Sequence, residues 1–184
     1  GTREQKVFLT YILISLLSNI ASIISAHYKM NNLWMMNLFA PIQFSFLMWV
    51  LSEWQLPDMK RVFVFSIPAF VFVWLIAIAF FEGLYKFSSF TRPLEALTII
   101  SASGYTLVQL IKREIESLLD KPSFWISSGM LVYFTGMIVL FSLSDILLKE
   151  SISTLRLLWV PIQSLSNITS HLLFAAGFLC LRPR

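Results

Sequence analysis

Three polar side chains recur at four-residue intervals in the last apolar stretch of the chain. Gln163, Asn167 and His171 stand at i, i+4 and i+8 within 155–181, whose single charge is Arg156. Amide and imidazole groups donate and accept hydrogen bonds, so this spacing predicts either ligand recognition or bonding between helices. Because unpaired polar groups are costly in hydrocarbon, we expect the three side chains to face other helices or an internal cavity.

A second pattern places two opposite charges three residues apart. Arg92 and Glu95 can pair on one helix face. Pro93 suits a first helical position, so Glu95 would lie in the first turn, where a carboxylate stabilises the exposed N–H groups. The alternative is functional, because Glu95 begins a polar seam that continues on the same face. The other members of that seam are Thr98, Ala102, Tyr105 and Gln109.

Two further amides, Asn37 and Gln43, flank Pro41 in an earlier apolar stretch. Ideal helical geometry places the two side chains about 120° apart, so they share a face only if the proline distorts the helix between them. We therefore expect a kink or a local opening at Pro41.

The composition indicates a membrane protein, in which apolar helices position these polar groups. Hydrophobic residues make up 57% of the chain, charged residues 13%, and the mean hydropathy is +0.76. The net charge of +4 does not indicate nucleic acid, because the basic residues lie in short loops. Cys180 is the single cysteine, so no internal disulfide forms. The chain starts at Gly1 rather than Met, so a helix or signal could precede it.

The apolar stretches predict an all-α, polytopic bundle of six transmembrane helices in one domain, 1–184. The third span is almost wholly apolar and is predicted to be lipid-facing or structural. Gly129, Tyr133 and Gly136 share a face of the fifth span, which predicts close helix packing. The predicted spans are 7–26, 33–51, 62–81, 93–111, 124–144 and 157–180.

Basic residues give the predicted orientation. With six spans, nine Lys and Arg lie on one side and five on the other, so the positive-inside rule places both termini in the cytoplasm. In this orientation the polar residues concentrate toward the outer half of the membrane. A cavity open to the non-cytoplasmic side would explain that distribution.

Five segments carry a resemblance to other proteins: NNLW at 31–34, FSSFTRPLE at 87–95, PSFWISSG at 122–129, YFTG at 133–136 and NITSHLLFAAGF at 167–178. They resemble segments of a family of small, uncharacterised polytopic membrane proteins from Bacteroidetes. The resemblance implies a multi-pass protein of a bacterial inner membrane and no particular activity. This chain has Asn37, Gln43 and His171 where family members usually carry His, Glu and Asn, which weakens any proposal of metal ligands or a buried proton carrier in the second helix.

Four classes of function compete. Uncharged amides and the lack of a catalytic motif favour a binding or sensing module. A structural or accessory subunit of a larger membrane complex and a small-solute transporter are the alternatives, and an enzyme is the least favoured class. Membrane lipid, and a membrane-protein partner or a second copy of the chain, are the expected partners. The predicted ligand-binding residues are Asn37, Gln43, Arg92, Glu95, Gln163, Asn167 and His171.

Overall fold

The computed structural model of the protein describes residues 3–28, 31–150 and 152–180. In this part of the chain the fold is all-helical, with 89% helix and no strand, which confirms the predicted class. A π-helical turn, Ile78–Glu82, continues the third helix, and a 3-10 helix, Ile115–Asp120, follows the fourth. The six α-helices are α1 (Arg3–His27), α2 (Leu33–Glu53), α3 (Pro57–Ala77), α4 (Thr91–Glu114), α5 (Pro122–Glu150) and α6 (Ile152–Leu179).

Four helical segments are long and apolar enough to cross a membrane, which indicates a membrane protein. They correspond to the second to fifth predicted spans. The apolar helix within α1 covers Phe8–Leu17, which is shorter than a crossing. In α6, seven polar residues between 163 and 171 lower the hydropathy. The first and sixth spans therefore stay predictions. The four segments are Leu33–Glu53, Pro57–Glu82, Thr91–Arg113 and Pro122–Leu143.

The helices are longer than the hydropathy of the sequence predicted, and the connections are shorter. The long connection predicted between the fifth and sixth spans is wrong, because α5 continues to Glu150 and α6 begins at Ile152. Similarly, α4 begins at Thr91, two residues before the expected start at Pro93. Hydropathy locates the apolar centre of a helix, whereas backbone hydrogen bonding continues into polar flanking residues.

The chain divides into two compact units, one up to Glu95 and one from Ala96, so the boundary lies inside α4. In the first unit α2 packs against α1 and α3. The rings of Phe44 and Phe70 stack with centroids 4.1 Å apart between α2 and α3. At the turn joining these helices, Lys60 Nζ lies 2.8 Å from Glu53 Oε2. Only 22% of the most apolar stretch of Pro57–Glu82 is buried, which agrees with the predicted lipid-facing or structural helix.

In the second unit α5 packs along α6 at glycine positions. A Cβ atom at Gly129 would lie 2.5 Å from Phe174 Cε1, and one at Gly136 would overlap Ser166 Oγ. Gly177 of α6 lies equally close to α5, where a Cβ would be 3.0 Å from Ile126 Cγ1. The predicted close packing at Gly129 and Gly136 is thus confirmed, because only a missing side chain allows this approach.

Candidate binding site

Asn37 on α2 forms hydrogen bonds to the connection between α3 and α4, which comprises residues 83–90. Its Nδ2 donates to Leu84 O at 2.9 Å and to Lys86 O at 2.8 Å, and its Oδ1 accepts from Ser88 Oγ at 2.9 Å. The side chain is buried, and both of its N–H groups are used. In this arrangement Asn37 positions the connection and offers no further donor to a ligand.

The proline of α2 explains a second bond at the same position. Pro41 has no N–H, so it cannot donate to the carbonyl of Asn37, four residues earlier. The indole Nε1 of Trp74 on α3 donates to that carbonyl instead, at 3.1 Å. An unsatisfied buried carbonyl is costly. The bond from Trp74 therefore replaces the helical hydrogen bond that Pro41 cannot donate.

Glu82 binds the N-terminal end of α4. Its Oε1 accepts from the backbone N–H of Phe90 at 2.6 Å and of Thr91 at 3.0 Å, while Oε2 accepts from Thr91 Oγ1 at 2.6 Å. Gly83, with φ +75°, allows the chain to turn away directly after the carboxylate. The expectation that Glu95 serves the helix N-terminus is wrong, because α4 begins earlier and Glu82 already binds the exposed N–H groups.

The predicted pair of Arg92 and Glu95 is confirmed. Arg92 Nη1 lies 3.0 Å from Glu95 Oε2, and the two side chains are 7% and 0% exposed. Arg92 Nη2 also donates to the carbonyl of Met36 on α2. The pair therefore joins the first turn of α4 to the segment of α2 that carries Asn37.

One oxygen of this site lacks a partner. Glu95 Oε1 is buried and has no hydrogen-bond partner among the described residues, while Oε2 is held by Arg92. A buried acceptor without a donor is costly, and the cost is larger for a charged group. Glu95 Oε1 is thus the acceptor that the site can offer to an N–H or O–H group.

Gln43 and the residues of the α4 seam are buried or half-buried. Gln43 is buried on α2, six residues beyond Asn37. Along α4, none of the predicted seam residues is exposed: Glu95 and Ala102 are buried, and Thr98, Tyr105 and Gln109 are half-buried.

The three polar residues of α6 belong to the second unit. Gln163 is half-buried, and its Oε1 accepts from Trp159 Nε1 at 2.5 Å. Asn167 is also half-buried. His171 is exposed, with its Nδ1 2.6 Å from the carbonyl oxygen of Asn167. The prediction that His171 points inward is therefore wrong.

Helical geometry explains this outcome. A step of four residues advances about 40° around a helix, so the three side chains spread over about 80°. The face of α6 that packs on α5 carries Ser166, Ser170 and Gly177. Gln163 lies close to that face, and each later member turns further from it. That Gln163 and Asn167 contact a ligand stays a prediction.

Four residues of the site were missed by the sequence analysis: Trp74, Glu82, Ser88 and Thr91. Glu82 had a readable signal. It is an acid that directly follows a long apolar stretch and precedes a glycine. The other three have ordinary sequence surroundings, and only the fold brings them to Asn37 and Glu82.

The described ranges contain no group of three His, Cys, Asp or Glu side chains that could hold a metal ion. Comparison of the chain with protein families, curated proteins and solved structures found no match.

Proposed function

We propose that the chain is a six-span protein of a bacterial inner membrane with both termini in the cytoplasm. The four apolar helices and the nine-to-five split of basic residues support this topology. A cysteine placed at Lys86 should react with an impermeant thiol reagent in intact cells, and one at Lys112 should not, once Cys180 is replaced. The opposite labelling would overturn the orientation.

We propose further that this protein is a binding or sensing module whose recognition group is the Arg92–Glu95 pair, reached from the non-cytoplasmic side. The observation that carries the proposal is the fully buried Glu95 Oε1, which has no hydrogen-bond partner among the described residues. Arg92 holds the other oxygen in place, so the acceptor has a fixed direction.

The pair restricts the chemistry of the ligand. Arg92 already compensates the charge of Glu95, so a cationic ligand would leave an uncompensated charge within the membrane. A neutral molecule adds no charge and supplies the missing donor. The site therefore suits a hydroxyl or a primary amide.

The test is a thermal-shift measurement on the purified full chain in detergent, with neutral polyols and primary amides as probes. At least one probe class should raise the melting temperature of the wild type. Glu95→Gln should abolish the shift, because the carboxamide presents N–H groups where the carboxylate accepts. Glu53→Gln, which alters an ion pair near the other end of α2, should keep it. A shift that survives in Glu95→Gln would show that the ligand binds elsewhere.

A further inference from the structure

An open groove runs along the exposed side of α3 near its N-terminal end. We call it the α3 groove; its lining residues include Arg61, Val62, Val64, Phe65 and Pro68. Its volume of about 1010 Å³ is at the upper end of the range for small-molecule pockets, and it lies open to the surroundings. Its size and shape suit a long amphiphile better than a compact metabolite.

The wall of the groove is apolar. Val62 is 58% exposed and Phe65 75% exposed. The hydroxyl of Ser66 donates to the carbonyl of Phe63 at 2.6 Å, so it presents little polarity to the groove. Pro68 contributes a flat ring and no N–H group. This wall lies in a segment of mean hydropathy 2.6, the highest of the four apolar segments.

One end of the groove is basic. Arg61 is exposed and makes no ion pair or hydrogen bond with the described residues, whereas Lys60 Nζ is held by Glu53 Oε2 at 2.8 Å. Asp58 is exposed in the first turn of α3 and forms no ion pair with Arg61. The apolar sequence begins at the next residue, Val62. Arg61 therefore lies at the junction between the charged turn and the apolar part of α3, the kind of junction at which lipid headgroups meet hydrocarbon.

We propose that the α3 groove is a binding site for an anionic phospholipid. The lipid phosphate pairs with the Arg61 guanidinium, which binds phosphate through two parallel N–H groups. One acyl chain lies along Val62, Phe65 and Pro68. A zwitterionic headgroup fits less well, because it would bring its own cation beside Arg61 and Lys60.

The test measures lipid binding to the purified full chain by native mass spectrometry, with phosphatidylglycerol and phosphatidylcholine of identical acyl chains. Phosphatidylglycerol should bind more tightly. Arg61→Gln should weaken its binding about fivefold and remove the headgroup preference, since one basic residue near a membrane surface contributes about that factor. The control, Arg113→Gln, alters an exposed arginine at the end of another helix and should keep the preference.

A further variant tests the apolar half of the site. Phe65→Ala should weaken the binding of both lipids equally, because it removes part of the apolar wall and leaves the charge of the groove unchanged. Arg61 and Phe65 are both exposed, so neither substitution should impair folding.

Four outcomes would overturn the proposal. Equal binding of the two lipids, or an equal loss in Arg113→Gln, would show that Arg61 is not the specific contact. Competition by inorganic phosphate as effective as that by the lipid would indicate an anion site without an acyl chain. A change in oligomeric state in Arg61→Gln, with unchanged lipid binding, would assign the groove to a second copy of the chain.

Discussion

Arg92 Nη1 lies 3.0 Å from Glu95 Oε2 near the N-terminal end of α4, and both side chains are buried. The same guanidinium donates to the carbonyl of Met36, so one side chain joins two helices. A buried ion pair is weak evidence for stability by itself, but removing one partner leaves the other charge uncompensated. The pair is therefore sensitive to single substitutions.

We expect Arg92→Gln and Glu95→Gln each to lower the free energy of unfolding by about 3–5 kcal/mol, because each leaves one buried charge without its partner. The measurement is chemical denaturation of the purified protein in detergent. In the double variant the loss should be smaller than the sum of the two single losses, because no charge is left unpaired.

The Lys60–Glu53 pair provides the matched control. Lys60 is 41% exposed in this pair, and surface ion pairs contribute about 0–1 kcal/mol. Glu53→Gln should therefore change stability by no more than this amount. Equal losses in Glu53→Gln and Glu95→Gln would contradict the difference in burial on which the prediction depends.

The ion pair could be predicted from the sequence, whereas the bonds around it could not. Arg92 and Glu95 are three residues apart, so helical geometry alone brings them together. Asn37 bonds to residues 84, 86 and 88, which are 47 to 51 residues away. The packing of α2 with α3 and the path of the connection determine these bonds, and neither can be read from local spacing.

Asn37→Ala should loosen the connection between α3 and α4. The substitution removes both donors to Leu84 O and Lys86 O, and because these bonds are only part-buried, the loss should be at or below about 1–3 kcal/mol, the cost of an unpaired buried group. Lys86 is exposed, so trypsin cleavage after it, followed by mass spectrometry, reports the opening of this segment. We expect faster cleavage than in the wild type.

Asn31 is the natural control for this experiment. It is exposed and donates one bond to the same connection, to Tyr85 O at 3.1 Å. Asn31→Ala should leave the cleavage rate near that of the wild type. If both variants are cleaved equally fast, the three side-chain bonds of Asn37 do not determine the order of the segment.

Glu82→Gln should weaken the start of α4. The carboxylate accepts three hydrogen bonds there, and the carboxamide retains a single oxygen acceptor. Loss of a helix cap costs about 0.5–2 kcal/mol. Hydrogen exchange of the Phe90 and Thr91 amides should accelerate, while amides near the middle of α4 keep their rates. Unchanged exchange at both amides would show that the neutral side chain suffices.

Helix positions and packing faces differ in how far the sequence determines them. The glycine spacing in α5 predicted its packing face, because a missing side chain is visible in the sequence. The polar stripe of α6 predicted the wrong orientation for His171. An exposed histidine can place one ring nitrogen against the carbonyl four residues earlier, so its position required no partner on another helix.

The contact between Gly136 and Ser166 gives the sharpest test of the α5–α6 packing. A Cβ at Gly136 would overlap Ser166 Oγ and lie 3.0 Å from Ser166 Cβ, so the Ser166 side chain must turn away or α5 and α6 must move apart to accept it. Overpacking of this kind costs about 1–3 kcal/mol. We expect Gly136→Ala to lower the free energy of unfolding by this amount in chemical denaturation. Adding Ser166→Ala to this variant should restore part of the loss, because it removes the overlapping oxygen.

Gly104 on α4 is the matched control for Gly136. Among the described residues, and apart from the adjoining backbone of α4 itself, no atom lies within 4 Å of a Cβ built at Gly104, so Gly104→Ala meets no steric obstacle there. Alanine is the better helix former by about 1 kcal/mol, so this variant should be equally stable or more stable than the wild type. Opposite signs for the two substitutions would show that contact with α6, and not helix propensity, makes glycine necessary at position 136. Equal destabilisation in both variants, or no rescue by Ser166→Ala, would refute the close approach of the two helices.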